Sequence, residues 1–480
     1  MKERALHGLS WSFIDNIGNR LIQFAVGIVM ARLLSPREYG LLGMVTIFVG
    51  VSNVFIDSGF TQSLVIRPNC RREDYSTVFF FNLGIGATLY GLLALLAPVV
   101  ANFFHEPDLV ALLRVYGATL VIGALALVQR IELSKRIDFK TQAKISLTST
   151  IISSAIGLWM AWQGFGVWSL VVRLLVESVC SASLLWILGE FRLLVCFDRK
   201  AFREMFAFGS RLLASGLIDR SYEELYKVVI GKFFSVVELG FYTRAIQFTE
   251  VPAVGFTQIV QKVSAPVLAQ LDPDRRQSAY RRIIQTSTLL VFSLMIGILA
   301  CSRNLVLALL GSKWIEVIPY LQLLCLATML YPLHALNLEI LWICGDSKKF
   351  LRLEILKKII DAPVIGAGIL WGIVPMLFGM VGSSILAYFI NSHHSGRLIG
   401  YSTSRQLRDL LPNLAISAAM GGSTLLLGNL LDVPPAIGLA IQILFGVVVV
   451  LFLGEVTRPS GYLEIREVAF ARLFPRRRPT

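Results

Sequence analysis

The chain has 480 residues, 55% of them apolar and only 16% charged, with a mean hydropathy of +0.68 and a formal net charge of +14. Soluble domains run near 45–50% apolar and about 25% charged, so the composition excludes an ordinary soluble protein and predicts an all-α polytopic membrane protein. Six cysteines without a CxxC pair and five histidines that do not cluster with acids give no reason to expect a disulfide framework, a metal or a cofactor; His393-His394 reads as a solvated loop pair.

The N-terminus, "MKERALHGLSWSF", has a charged start but no short apolar core before a small-residue cleavage site, which predicts an uncleaved first span. Apolar runs of about 20 residues, bounded by charges or Gly/Pro breaks, then predict fourteen spans. They are 10–31, 39–60, 77–104, 109–129, 145–163, 167–188, 206–230, 239–261, 284–302, 317–343, 353–372, 375–392, 409–430 and 434–454. Very short turns at "QGFGVW" (163–168) and "GIVP" (372–375) divide two of the long runs, and the longest loop is read over 262–283.

Lys and Arg orient the map. With a cytoplasmic N-terminus, 33 of the 45 fall in the terminus, every second loop and the C-terminal tail, against six in the opposite loops and six arginines within spans. This is the positive-inside pattern, and it predicts cytoplasmic termini in the cytoplasmic (inner) membrane. The basic residues sit in juxtamembrane loops rather than in a basic domain, so the charge argues for the lipid bilayer as partner and against nucleic acid. The terminal "FPRRRPT" is placed at anionic head groups.

An internal repeat appears at an offset of 200. "ARLLSPREYGLL" (31–42) matches "GKFFSVVELGFY" (231–242) at Ser35/Ser235, Glu38/Glu238 and Gly40/Gly240, and both carry the S-x-x-E capping box ahead of an apolar run. The chain thus divides into an N-lobe of spans 1–6 (1–195), a C-lobe of spans 7–12 (196–400), and a terminal pair with a basic tail (401–480). Two six-span halves of equal orientation predict parallel repeats about an axis along the membrane normal, with a substrate route between them.

Both repeats open on a charged span. The first carries Asp15, Asn16, Asn19, Arg20 and Gln23; the seventh carries Asp219, Arg220, Glu223, Glu224 and Lys227, with Arg20 and Arg220 at the repeat offset. A charge at bilayer depth costs about 3 kcal/mol on insertion scales and faces the protein interior or a wet cavity. Asn16, Arg20 and Gln23 share one helical face, as do Arg220, Glu224 and Lys227. Two readings follow: polar stripes lining a cavity, or buried ion pairs such as Arg220–Glu224 and Glu223–Lys227. Asp219 and Glu223 are like charges at i,i+4, which favours the wet surface. Arg114, Arg173 and Arg244 lie near the outer ends of their spans, where snorkelling competes with a lumen role; Arg173 has Glu177 one turn on. Glu250 is a mid-span acid ahead of Pro252, and Glu339 and Asp361 are others. Acids outnumber arginines within the spans, so charge alone does not predict an anion-binding lumen.

"ARLLSPREYGLLGM" (31–44), "FIDSGFTQSLVIRP" (55–68), "DYSTVFFFNLGIG" (74–86) and "GKFFSVVELGFYTRA" (231–245) carry a resemblance to the Wzx-type polysaccharide flippases, especially those of colanic-acid-like exopolysaccharides, within the multidrug/oligosaccharidyl-lipid/polysaccharide (MOP) exporter superfamily. The resemblance spans the first twelve predicted helices. It implies a V-shaped, alternating-access bundle of about 14 helices in two parallel six-helix lobes plus a terminal pair. It also implies a substrate, an oligosaccharide repeat unit on undecaprenyl pyrophosphate, with a polysaccharide polymerase and a chain-length regulator as partners. Arg20 and Arg220 are then the first candidates for pyrophosphate contact, with Asn16, Asn19, Gln23, Arg114, Arg173 and Arg244 completing the lumen. Asp15, Asp219, Glu223, Glu224 and Glu250 are candidates for coupling to a proton or sodium gradient. The acidic cluster of span 7 departs from a simply cationic lumen.

The competing functions are a drug or cation extruder and a peptidoglycan-precursor flippase of the same superfamily. An O-antigen polymerase or ligase would need a sizeable catalytic outer loop, and none is predicted. The chain is accordingly read as a transporter rather than an enzyme.

Overall fold

The computed structural model describes residues 2–57, 63–64, 70–136, 138–189 and 192–473, and no strand occurs among the described residues. Part of the "FIDSGFTQSLVIRP" stretch, the "FPRRRPT" tail and the side chain of Asn16 lie outside the described residues. The α-helices with described bounds are, in order, α1 (Lys2–Leu33), α2 (Pro36–Asp57), α3 (Arg72–Phe104), α4 (Leu109–Lys135), α5 (Phe139–Trp162), α6 (Val167–Leu188), α7 (Arg199–Phe233), α8 (Val236–Gln270), α9 (Pro273–Leu309), α10 (Val317–Thr328), α11 (Tyr331–Ile343), α12 (Ser347–Trp371), α13 (Ile373–Ile399), α14 (Thr403–Leu430), α15 (Pro435–Thr457) and α16 (Ser460–Leu473).

Among the described residues ten segments are long and apolar enough to cross a membrane: α2 to α6, α9, α10–α11 taken together, α13, α14 and α15. The other four predicted spans fall on α1, α7, α8 and α12. The short turns are where the sequence puts them. Gly164 and Gly166 link α5 to α6 at φ +82° and +56°, and Gly372 alone, at φ +106°, links α12 to α13. Span 317–343 breaks between α10 and α11, where Pro332 opens the second helix and cannot continue the first.

Helices run further than the apolar segments. The predicted loop 262–283 is almost wholly helical, taken up by α8 and α9 with a break at Leu271–Asp272. At 1.5 Å per residue, 35-residue helices reach about 52 Å, beyond a hydrocarbon core of about 30 Å, so their charged ends continue the helix into the interface. His393 and His394 belong to α13 rather than to a loop, their rings 5.4 Å apart.

The chain forms two compact units, Met1–Gly240 and Phe241–Thr480. The division falls within α8, later than the 195/196 boundary drawn from the repeat, because α7 packs on α2 and α3. In the first unit α3 lies along α4, α5 along α6, and α1 on α5. One apolar core joins Tyr75, Val78 and Phe79 of α3 to Val128 and Ile131 of α4 and Ala201 and Met205 of α7.

Of the two predicted capping boxes, the second shows both reciprocal bonds and the first shows the glutamate side. Glu38 Oε2 accepts from the Ser35 backbone N–H (2.5 Å) and hydroxyl (3.0 Å). Glu238 Oε2 accepts from the Ser235 N–H (3.1 Å), and the Ser235 hydroxyl accepts from the Glu238 N–H (3.1 Å). The starts of α2 and α8 also touch: a Cβ on Gly40 would lie 1.8 Å from the Val236 carbonyl oxygen, and one on Gly240 1.9 Å from that of Pro36.

In the second unit α9 is the spine, against which α10, α11, α14, α15 and α16 pack. The buried residues of α15 are Gly438, Gln442, Gly446 and Gly454, while Leu444, Val448 and Phe452 are exposed. Small residues inward and large apolar ones outward is the pattern of a helix solvated by lipid, where close backbone approach replaces the hydrophobic drive. Gln442 fixes its register, accepting from Asn304 Nδ2 (2.8 Å) and donating to the Thr424 carbonyl (3.1 Å).

Candidate functional site

The polar residues of the first span meet those of two other helices, α5 and α6, inside the first unit. On α1, Asp15, Asn19 and Gln23 recur every fourth residue and share a face. Asn19 Nδ2 donates to Asp15 Oδ1 (2.6 Å) and to the Ser146 hydroxyl, tying α1 to α5. Gln23 Nε2 donates to Glu177 Oε1 on α6 (3.4 Å), which also accepts from the Thr150 hydroxyl of α5 (3.4 Å). This works because α5 carries "SLTSTIISS" (146–154), a hydroxyl-rich stretch whose small side chains let α1 and α6 approach.

These groups line a cavity of about 620 Å³, within the range of small-molecule sites. Asp15 and Gln23 reach it from α1, Asn53 from α2, and Tyr116, Thr119 and Arg130 from α4. Gln142, Ser146 and Ser149 come from α5, and Arg173, Glu177 and Ser181 from α6. Arg130 Nη2 donates to Ser181 Oγ at 3.5 Å. Arg173 lies across Gly157, whose hypothetical Cβ would stand 2.8 Å from the Arg173 Cβ and 3.1 Å from its Cδ. Its Nε is buried and has no hydrogen-bond acceptor. Two guanidinium groups, two carboxylates and a wall of hydroxyls and amides make a surface that can hold a phosphate ester and a polyhydroxylated group at once.

The charges of α7 form a separate cluster. Glu224 is buried and takes Arg220 (2.7 Å) and Lys227 (2.8 Å), while Arg220 also meets the exposed Glu223 (3.0 Å). Of the two pairs expected, Arg220–Glu224 forms; Lys227 chooses Glu224 at i,i+3 over Glu223 at i,i+4. The Arg220 guanidinium lies against the backbone of α2 at Gly50, where a Cβ would come within 3.0 Å of Nη2. Glycine therefore opposes two of the intramembrane arginines, Gly50 for Arg220 and Gly157 for Arg173.

The remaining candidates disperse. Arg20 is exposed on the face of α1 beside the Asp15–Asn19–Gln23 row and does not line the cavity, so the polar face of α1 is centred one residue away from the predicted Asn16–Arg20–Gln23 stripe. Arg114 is exposed and donates to the Ala94 carbonyl (3.4 Å), in keeping with snorkelling. Arg244, in the second unit, is only 3% exposed and holds Gln247 (2.5 Å) above the Phe248 ring, which excludes snorkelling. Asp219 and Glu250 are exposed on α7 and α8. Arg130 and Gln142 are not among the residues that the sequence singles out, since both lie at the inside ends of their spans; the hydroxyl-rich run at 146–154 is the one local signal of a polar wall beside them.

Comparison with known proteins agrees with the resemblance. The profile of a family described as "Polysaccharide biosynthesis protein" matches residues 29–319. The chain is 23% identical over 433 residues to the teichuronic acid biosynthesis protein TuaB of Bacillus subtilis (strain 168), covering 87% of this chain and 88% of that one. It is 23% identical over 444 residues to the lipopolysaccharide biosynthesis protein WzxC of Escherichia coli (strain K12), covering 88% of each. Its fold is similar to that of the lipid II flippase MurJ in an inward closed conformation, with a TM-score of 0.76 at 14% identity over 94% of this chain and 98% of that one.

Proposed function

The chain belongs to the polysaccharide biosynthesis protein family, and on that premise we propose that this multi-pass membrane protein is a flippase that moves an undecaprenyl-pyrophosphate-linked oligosaccharide repeat unit across the cytoplasmic membrane by alternating access. The observation that carries the reading is the polar cavity of the first unit. Its size and mixed donor and acceptor lining suit part of a glycan, and Arg130 and Arg173 offer planar, permanently charged forks for phosphate oxygens. The orphaned Nε of Arg173 is a donor already desolvated and awaiting an acceptor.

Fourteen spans are part of the proposal, α1, α7, α8 and α12 joining the ten apolar segments, with both termini cytoplasmic. Arg20 and Arg220 are kept as secondary phosphate contacts. Asp15 is the first candidate for proton or sodium coupling, since its carboxylate borders the cavity and is held by a neutral amide, Asn19 Nδ2 at 2.6 Å. Polymerase and chain-length regulator would receive the product on the far face.

The test is a host strain lacking this chain. It should accumulate the lipid-linked repeat unit on the inner leaflet and lose surface polysaccharide; wild type should restore export, and Arg173→Gln should not. Accumulation of peptidoglycan precursor instead would transfer the reading to that carrier lipid. A second reading, an ion-coupled extruder, is favoured by the two carboxylates Asp15 and Glu177 in the same cavity. It predicts drug sensitivity of the deletion strain with normal polysaccharide.

A further inference from the structure

The second unit holds a separate polar cavity of about 360 Å³ between α9 and α14. Three arginines line it, Arg281 from α9 and Arg405 and Arg408 from α14, with Gln277 and Ser278 beside them. The acid present, Asp409, is already committed: it takes Arg281 through Nε and Nη2 at 2.6 Å each and accepts from the Tyr401 hydroxyl at 2.6 Å. That pair fixes the Arg281 fork and neutralises Asp409, so the cavity keeps a surplus of two positive charges from the exposed Arg405 and Arg408. Gln277 is held by its own bond to the Gly400 carbonyl (2.8 Å), so the wall is ordered before any ligand arrives.

We propose that this cavity binds the phosphodiester head group of an acidic phospholipid. The shared chemistry is a phosphate, and two observations select a lipid as its source. The residues come from two segments, 262–283 and 393–408, that the distribution of basic residues puts on the same membrane face. Past the arginines the helix turns apolar: Leu411, one turn beyond Arg408, and Leu414 are exposed on α14, where acyl chains would lie. Basic pockets between spans on the cytoplasmic side are suited to anionic head groups, about 1 kcal/mol for each basic residue at the surface.

The test uses the purified full chain in detergent, titrated with phosphatidylglycerol, phosphatidylcholine or inorganic phosphate, and followed by thermal unfolding and native mass spectrometry. Phosphatidylglycerol should stabilise the wild type and remain bound where phosphatidylcholine does not. Arg405→Gln/Arg408→Gln should weaken that affinity about 30-fold, whereas Arg405→Lys/Arg408→Lys should keep it within a few-fold. Should the glutamine variant fail to fold, wild-type binding should still fall steeply between low and high salt. Equal effects of the two lipids, or undiminished binding by a folded glutamine variant, would overturn the proposal. Stabilisation by inorganic phosphate as strong as by phosphatidylglycerol would overturn the lipid assignment and give the site to a soluble phosphate ester.

Discussion

Gly40 and Gly240 occupy equivalent places in the two repeats and contact each other's helix reciprocally, Gly40 against the Val236 carbonyl and Gly240 against that of Pro36. Both pairs are separated by the same offset of 200, so the contact is a local two-fold built from the repeat itself. Each approach is so close that only a hydrogen fits, and the position tolerates no other residue without the helices parting.

Gly40→Ala and Gly240→Ala should therefore each destabilise the protein by about 1–3 kcal/mol through overpacking, and by similar amounts. Thermal unfolding of the two variants in detergent checks both the size and the equality. A wild-type midpoint for either one would show that the helices do not meet there.

Arg173 needs Gly157 as much as it needs its own charge. Arg173→Gln should lower transport by about tenfold or more, the scale of a charged hydrogen bond removed. Gly157→Val should do the same by displacing the arginine stem. Gly84→Ala is the control, since a Cβ at Gly84 meets nothing within 4 Å. Flipping of lipid-linked oligosaccharide in proteoliposomes would separate the three.

Glu223 and Glu224 are neighbours with opposite weight. Glu224→Gln leaves Arg220 and Lys227 without their buried counter-charge and should cost about 3–5 kcal/mol. Glu223→Gln removes an exposed partner and should cost no more than about 1 kcal/mol. Unfolding midpoints of the two variants, compared at matched salt, distinguish a buried structural lock from an exposed ion pair.

Asp346 starts α12. Its carboxylate accepts from the Lys349 backbone N–H (3.2 Å) and meets Lys349 Nζ (2.5 Å), and the side-chain bond to Lys349 holds its pKa below the ordinary 3.8. A depressed pKa gives stability that is complete above the ordinary value and fades as pH falls through the lower folded one. Amides of residues 349–352 should exchange faster only below about pH 4. Asp346→Asn should abolish that pH dependence while leaving the rest of the exchange pattern intact.

Much of the fold is legible in the residues. The apolar runs, the glycine turns at 163–168 and 372–375, and both S-x-x-E caps follow from local chemistry. Helix length was hidden over 262–283, because charges such as Lys262, Arg275 and Arg276 mark the end of the apolar belt, not the end of the helix. Within the cavity, Asp15, Gln23 and Arg173 stand out as polar residues in apolar spans. Arg130 and Gln142 do not, since a basic residue at an inside boundary has an ordinary explanation until α4, α5 and α6 are packed together. Arg20 shows the converse: its depth in the span marked it, while helix rotation turned it out of the cavity.

The single residue Gly372 also bears on how the protein is made. A one-residue connection leaves no slack for α12 to enter the bilayer while α13 waits outside. α12, which carries Glu354, Lys357, Lys358 and Asp361, is not among the ten apolar segments, whereas α13 is one of them. If the fourteen-span arrangement holds, the two should partition from the translocon as one hairpin, the later and greasier helix carrying the earlier. Lengthening that link by several polar residues would uncouple them and leave α12 stranded on the side where it was synthesised.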